Sequence, residues 1–469
     1  MTRIFQKPFT SKKLKINKRS FRASYLTILC SFLLSACTPE PKGFEPDPGN
    51  ADFNQVIALG GSFMAGYQDG GLFLKAQENS LAAQIANQLE LAKGSKFYQA
   101  LLPSGAGIGL NSKPWESSYV SPSRLGLKTD CKGVTSTSPV KMILSEIEAK
   151  KYLSAKYTEP INDFTVPFAS MNDYNNPSFG LSSVVNFNNP FYARIASKPG
   201  SSTILSDAKD RKPSFIISWL GMDDIYNYAS KGGTHHSIPT AAEFEQQLDL
   251  ILGDFAKSGV KGVMATIPDF RDFPFYTLIP WDNADLTQVQ ADSLNLTYQS
   301  NALFSHISFE KGRNGFVVED PNEPSGFRQL KAGEYITISV PTDSLKCYKY
   351  GLLVKPINNR YSLIESEVNV IDNAISSYNS IIVKKAAEYG FAMADIYQLF
   401  KRVKSGIIWN GADFNLDFVS GGFLSLDGYH PNQKGYAIIA NEFIKAINNT
   451  YKAKVPQTTC NNCDGVLFN

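Results

Sequence analysis

The sequence predicts an α/β fold, a mostly parallel sheet covered by helices on both faces, and three features predict it. Apolar runs of strand length recur along the chain, helical periodicities separate them, and glycine-rich or acidic breaks close several of the runs. The first run is Phe53-Asn-Gln-Val-Ile-Ala-Leu59, broken at Gly60-Gly61-Ser62. Ser80 to Leu91 then places Leu81, Ile85, Ala86 and Leu89 on one helical face. Further strands are expected at Ser214–Leu220, Val260–Thr266 and Phe391–Ile396, with helices over about 240–258, 366–389 and 432–449. Two stretches rich in Gly, Pro, Asn and Ser, about 103–165 and 281–362, interrupt this alternation. The second holds the alternating run Gly333-Glu-Tyr-Ile-Thr-Ile-Ser-Val340. Both read as loop or small β insertions in a single domain spanning 53–455, followed by a tail at 456–469.

Composition narrows the function. The chain has 469 residues, 43% hydrophobic and 19% charged, which excludes a disordered chain, a coiled coil and a cysteine-stapled miniprotein. The net charge is +3, yet residues 1–22 carry eight bases and no acid, so the body from Cys37 onward is near −5. An acidic body offers no footprint for nucleic acid.

The basic head precedes the apolar run Tyr25–Leu34 and then Leu34-Ser35-Ala36-Cys37. That order is a secretory signal, too short to span a bilayer. Small residues before a cysteine resemble a bacterial lipobox. On this reading 1–36 is removed, Cys37 carries the lipid (palmitate among its acyl chains), and 37–52 tethers the domain to a membrane of the cell envelope, the outer membrane being expected. Of the remaining cysteines, Cys131, Cys347, Cys460 and Cys463 allow three pairings or stay as thiols. Cys460-Asn-Asn-Cys463 has no second ligand pair beside it, so zinc or redox chemistry is not the expected reading.

Three short segments carry chemistry. Ser62 sits in a glycine turn where the first strand ends, the position at which parallel sheets open their ligand crevices. Asp427-Gly-Tyr-His430-Pro431 precedes the last helix, and its spacing lets the Asp427 carboxylate reach one ring nitrogen of His430 and leave the other as a base. Gly221-Met222-Asp223-Asp224 follows the Ser214–Leu220 run on the same side of the sheet. His235 and His236 lie in a separate loop, which leaves the acids without metal partners, and no metal or cofactor is expected.

Together Gly60-Gly61-Ser62-Phe63, Gly221-Met222-Asp223-Asp224 and Asp427-Gly428-Tyr429-His430 resemble the first, third and fifth sequence blocks of the GDSL/SGNH hydrolase family, in order and over about residues 53–450. In detail the chain resembles the large bacterial lipoprotein branch of that family. The resemblance implies a three-layer α/β/α sandwich of the SGNH or flavodoxin-like kind, Ser62 as nucleophile, His430 as base and Asp427 as its orienting acid. It also implies ester hydrolysis through an acyl-enzyme, on an acyl lipid or an acylated sugar, with no cofactor and no obligate protein partner.

Three positions depart from the family pattern. Gly61 stands where the family has aspartate. Phe168, in Asp163-Phe-Thr-Val-Pro-Phe168-Ala169, stands at the glycine whose amide binds the oxyanion, with Gly105 as the alternative donor. Asp223 replaces the asparagine that donates to the oxyanion, and an ionised aspartate has no proton to give. Either burial and Asp224 keep Asp223 protonated, so that it donates beside the Ser62 and Phe168 amides, or the site is impaired and the protein is a surface lipoprotein that binds glycan or lipid.

Overall fold

The computed structural model describes residues 43–109, 119–153, 156–181, 189–353, 355–460 and 463–468. Residues 1–36, expected to be a signal, and Cys37, expected to carry lipid, lie outside these residues. Pro46 to the end of the chain is one compact unit.

Five parallel strands form its centre: β1 (Val56–Gly60), β2 (Asp163–Thr165), β3 (Phe215–Trp219), β4 (Lys261–Ala265) and β5 (Ala392–Ala394), in the spatial order β2-β1-β3-β4-β5. Every residue of β1 and β3 is buried, because helices cover both faces of the sheet. Helix α1 (Ser62–Ala65) leaves β1 directly, and α2 (Leu81–Leu91) starts at Ser80, whose Oγ accepts the Ala83 amide at 3.1 Å. On one face α2 packs with the last long helix, here α6 (Gln433–Tyr451). On the other face lie α3 (Met222–Ala229), α4 (Ala241–Leu248) and α5 (Glu365–Tyr389), with Phe244 of α4 stacked on Tyr378 of α5 at 3.7 Å. Tyr436, Ile439, Ala440, Phe443 and Ile447 make one buried face of α6 at three- and four-residue spacing, and Phe443 meets Trp219 of β3.

The strand order reverses between β1 and its two neighbours, so the carboxyl ends of β1 and β3 form the topological switch point at which such sheets bind ligands. Gly60 lies opposite Thr165 on one side and Trp219 on the other, which puts Ser62 and the start of α3 at that point.

The first insertion ends before Asp163, since Asp163–Thr165 is one of the two edge strands of the central sheet, and with Phe164 as its single apolar residue it leaves no strand pattern in the sequence. It holds a hairpin of Arg124–Thr129 with Thr135–Val140, the pair Tyr119–Val120 with Ile143–Leu144, and a helix at Glu146–Leu153. The second contains three two-stranded pairs, a helix at Gln288–Gln299 set by the Thr287 and Gln290 capping box, and its own apolar clusters around Phe316, Val318 and Ile336 and around Leu294, Tyr298 and Phe309. Cys131 in the first insertion is bonded to Cys347 in the second, and Cys460 to Cys463, one of the three possible pairings. The segment expected as a tether is attached to the body over Asp47–Asn50, where Lys454 N donates to Asp47 O at 2.7 Å and Asn50 N to Tyr451 O at 2.7 Å. The tail is likewise held, by Asn441 against Thr458 and by Lys75 against Asp464.

Candidate active site

Ser62 begins α1 and is fully buried from solvent. Its amide donates to Asp223 Oδ2 at 2.9 Å, and its hydroxyl donates to Asp223 Oδ1 of the same carboxylate. A third donor converges there, the Phe168 amide, 3.1 Å from Ser62 Oγ. Asp223 stands in the first turn of α3, where the helix N-terminus favours negative charge.

Gly61 and Asp223 are one structural feature. A Cβ at position 61 would run into Asp223 Oδ2, so the space that a side chain beside Ser62 would take is filled by the carboxylate from α3. The two departures from the family pattern, 162 residues apart in sequence, therefore depend on each other.

Phe168 holds the left-handed conformation at φ 67, a strain of about 1–2 kcal/mol for a residue with a Cβ. The fold retains it: Asn227 Nδ2 donates to Phe168 O at 3.1 Å, Asn189 Nδ2 to Pro167 O at 2.6 Å, and the ring packs edge-on to Tyr67 and parallel to Tyr226. This conformation turns the amide toward Ser62 Oγ. Gly105 instead packs against Tyr152 and Lys151 of the first insertion, and the amide that reaches Ser62 Oγ is Phe168's.

Asp427 and His430 form the expected pair. His430 Nδ1 lies 2.9 Å from Asp427 Oδ2, and the other carboxylate oxygen accepts the amides of Tyr429 at 2.9 Å and His430 at 2.8 Å. Burial alone would raise the Asp427 pKa, but the His430 charge and these donors outweigh it and hold it at about 2. The ring of His430 is 1% exposed, packed among Phe63, Tyr67, Tyr226 and Tyr429, and its Nε2 has no hydrogen-bond partner among the described residues. A buried nitrogen without a partner is costly unless a ligand or reactant completes it.

The carboxyl of Asp223 is pushed up to about 6 by burial, with the Ser62 hydroxyl and amide and the His430 charge pulling the other way. Its neighbour Asp224 is pushed to about 8 by burial, against the Met171 amide at 3.2 Å, and the Asp223 charge adds to the rise. In a neutral solution Asp224 is thus largely uncharged, and Asp223 titrates just below neutrality. Among the described residues no group of three or more His, Cys, Asp or Glu side chains is placed to hold a metal ion.

The sequence reading missed the turn Gln68-Asp69-Gly70-Gly71. Asp69 and Gly70 both have positive φ, 56 and 72, and Gln68 and Gly71 exchange backbone hydrogen bonds at 3.0 and 2.9 Å, a two-residue hairpin turn of the type that favours Asp-Gly. Gly70 N donates to Asp427 Oδ2 at 3.0 Å, and the Asp69 carboxylate accepts the Leu426 amide at 2.8 Å. The Asp-Gly dipeptide was the available signal for the turn; nothing local announced its partner more than 350 residues away.

The profile of the family described as GDSL-like Lipase/Acylhydrolase matches residues 56–443. No curated protein matches the chain. Similar solved structures include LAE5, an alpha/beta hydrolase enzyme from the metagenome of Lake Arreo, Spain, 12% identical over 85% of this chain and 96% of that one, with a TM-score of 0.33. A mutant of Axe2, an acetyl-xylooligosaccharide esterase from Geobacillus stearmophilus, is 10% identical over 85% of this chain and 95% of that one, with a TM-score of 0.34.

Proposed function

The chain belongs to the GDSL-like lipase/acylhydrolase family, and from that ester-hydrolase footing we propose that it is a serine esterase working through an acyl-enzyme on Ser62. The observation that carries this reading is the convergence on Ser62 of the Phe168 amide and the Asp223 carboxyl, together with a formed Asp427–His430 pair whose Nε2 is free to take a proton. With substrate bound, Ser62 Oγ leaves Asp223 and attacks the ester carbonyl while His430 Nε2 accepts its proton. Asp427 holds the imidazole through Nδ1 and stabilises the imidazolium. The Ser62 and Phe168 amides receive the oxyanion, and Asp223 in its protonated form is the third donor. His430 then gives its proton to the departing alcohol, and water releases the acid by the reverse route.

Ionised Asp223 has the opposite effect. It occupies the Ser62 amide and hydroxyl and repels the negative charge that the reaction develops, so the ester hydrolase is expected to work below the Asp223 pKa of about 6 and to fade above it. The same occupancy favours a second reading, a binding protein for glycan or lipid whose carboxylate permanently fills the oxyanion position. The basic and apolar head followed by Leu34-Ser35-Ala36-Cys37 supports, for either version, a membrane surface of the cell envelope as its place of action, with lipid on Cys37 as the tether. Hydrolysis of short- and long-chain p-nitrophenyl esters by the soluble form from Thr38, at pH 4 to 9, with Ser62→Ala alongside, separates the two. Turnover abolished in Ser62→Ala supports the serine esterase; saturable ligand binding without turnover at any pH supports the binding protein.

A further inference from the structure

The turn at Asp69–Gly70 is covered by a residue of the first insertion. Lys141 follows the Thr135–Val140 strand, and its Nζ and Cε lie 2.7 and 3.3 Å from the place a Cβ on Gly70 would occupy. Gly70 is the residue whose amide holds Asp427 Oδ2, the same oxygen that receives His430 Nδ1. The insertion is fastened at this point by a second contact, from Ser123 N to Asp69 O at 2.7 Å. Lys141 is exposed as a residue, while burial still lowers its ammonium, and Asp427 and then Asp69 pull the other way. Lys141 is thus a cation beside the Gly70 turn, within electrostatic reach of two carboxylates. Asp69 is 1% exposed and pushed up to about 7 by burial, with the Asp427 charge adding to the rise.

We propose that Lys141 is a positioning residue of the catalytic pair: its ammonium offsets the Asp69 and Asp427 carboxylates behind the Gly70 turn, so that the insertion is part of the catalytic apparatus. Removing the charge leaves Asp427 unscreened, the imidazolium of His430 is then held more tightly, and the base is lost to protonation at a higher pH. The other groups facing this pair are Arg124 from the insertion, Asp223 from α3, and the phenols of Tyr67, Tyr226, Tyr429 and Tyr436, all of which are kept when only residue 141 is changed.

The inference rests on the serine esterase reading, and its test has a readout that does not. The chain has four histidines, so the ring resonances of Lys141→Met, Lys141→Arg and the unaltered protein can be titrated by NMR, with His430→Gln to assign His430. Lys141→Met is expected to raise the His430 midpoint by about half a pH unit or more, with Lys141→Arg close to the unaltered protein and the resonances of His235, His236 and His306 unmoved. The acid limb of kcat/KM for p-nitrophenyl acetate should move with it, while KM changes less than about twofold. An unmoved His430 midpoint in Lys141→Met overturns the proposal, and so does an equal shift in Lys141→Arg, which would trace the effect to packing. Absence of esterase turnover leaves the histidine titration intact, so failure of the activity reading and failure of this inference are read separately.

Discussion

Replacing Asp223 by asparagine removes one ionisation while keeping the size and the planar shape of the side chain. With the Asp223 pKa near 6, about 1% of molecules carry the proton at pH 8 and about 90% at pH 5. If only the protonated form can donate to the oxyanion, kcat/KM of the unaltered protein falls about tenfold per pH unit above 6, or about 2.7 kcal/mol of apparent barrier by pH 8. An asparagine amide donates at every pH. The ratio of Asp223→Asn to the unaltered protein should therefore rise about a hundredfold between pH 5 and pH 8, and the alkaline limb should disappear. The assay is the initial rate of p-nitrophenyl acetate hydrolysis from pH 4 to 9, followed at the isosbestic wavelength so that product ionisation does not enter. Stability gives an independent check. The native pKa lies above the ordinary carboxylate value, so the folded state binds more protons, and this group's contribution falls as pH rises from about 4 to 6 and stays low above that. Asp223→Asn should accordingly gain more in Tm over the unaltered protein at pH 8 than at pH 5. A retained alkaline limb would refute the donor role, and a loss of 10³-fold or more at every pH would make Asp223 an obligatory base instead.

Other changes probe the same construction. Gly61→Ala should displace the Asp223 carboxylate and cost about 1–3 kcal/mol by chemical denaturation, and Asp223→Ala in the same chain should recover part of it, a coupling that a double-mutant cycle measures. Phe168→Gly keeps the working amide and relieves the left-handed strain, so its kcat should stay within about fivefold; Phe168→Ala should unfold at about 1 kcal/mol lower free energy than Phe168→Gly. Asp427→Asn should lower kcat by about 10³–10⁴ with little change in KM, because His430 then loses the acceptor that sets its tautomer. Replacing Cys131 and Cys347 by serine opens a loop of 216 residues and should cost about 2–4 kcal/mol in thermal or denaturant unfolding, with the active site retained.

The central sheet was legible because β1, β3 and β4 are apolar runs bounded by clear breaks, and α2, α5 and α6 have regular buried faces capped near the expected ends. Edge strand β2 was not, since Asp163–Thr165 carries one apolar residue beside a long insertion, whereas the equally short β5 at the other edge is apolar throughout. In the candidate site, Ser62 and the Asp427–His430 contact were legible from local context: a turn after a strand, and an acid three residues before a histidine. What the sequence hid is the geometry between distant segments. Gly61 and Asp223 read as two separate departures, and only the fold shows one side chain filling the space left by the other. Lys141 carried no motif at all, because its significance comes from the hairpin that delivers it to Gly70.

Whether Ser62 is the nucleophile can be read out by covalent trapping. The protein treated at pH 5 to 6 with an alkyl fluorophosphonate, a serine-directed mimic of the acyl-transfer intermediate, should gain one adduct by intact mass. Peptide mapping should place that adduct on Ser62, and Ser62→Ala and His430→Gln should not gain it. An adduct on another residue, or ester turnover that survives in Ser62→Ala, would contradict the account.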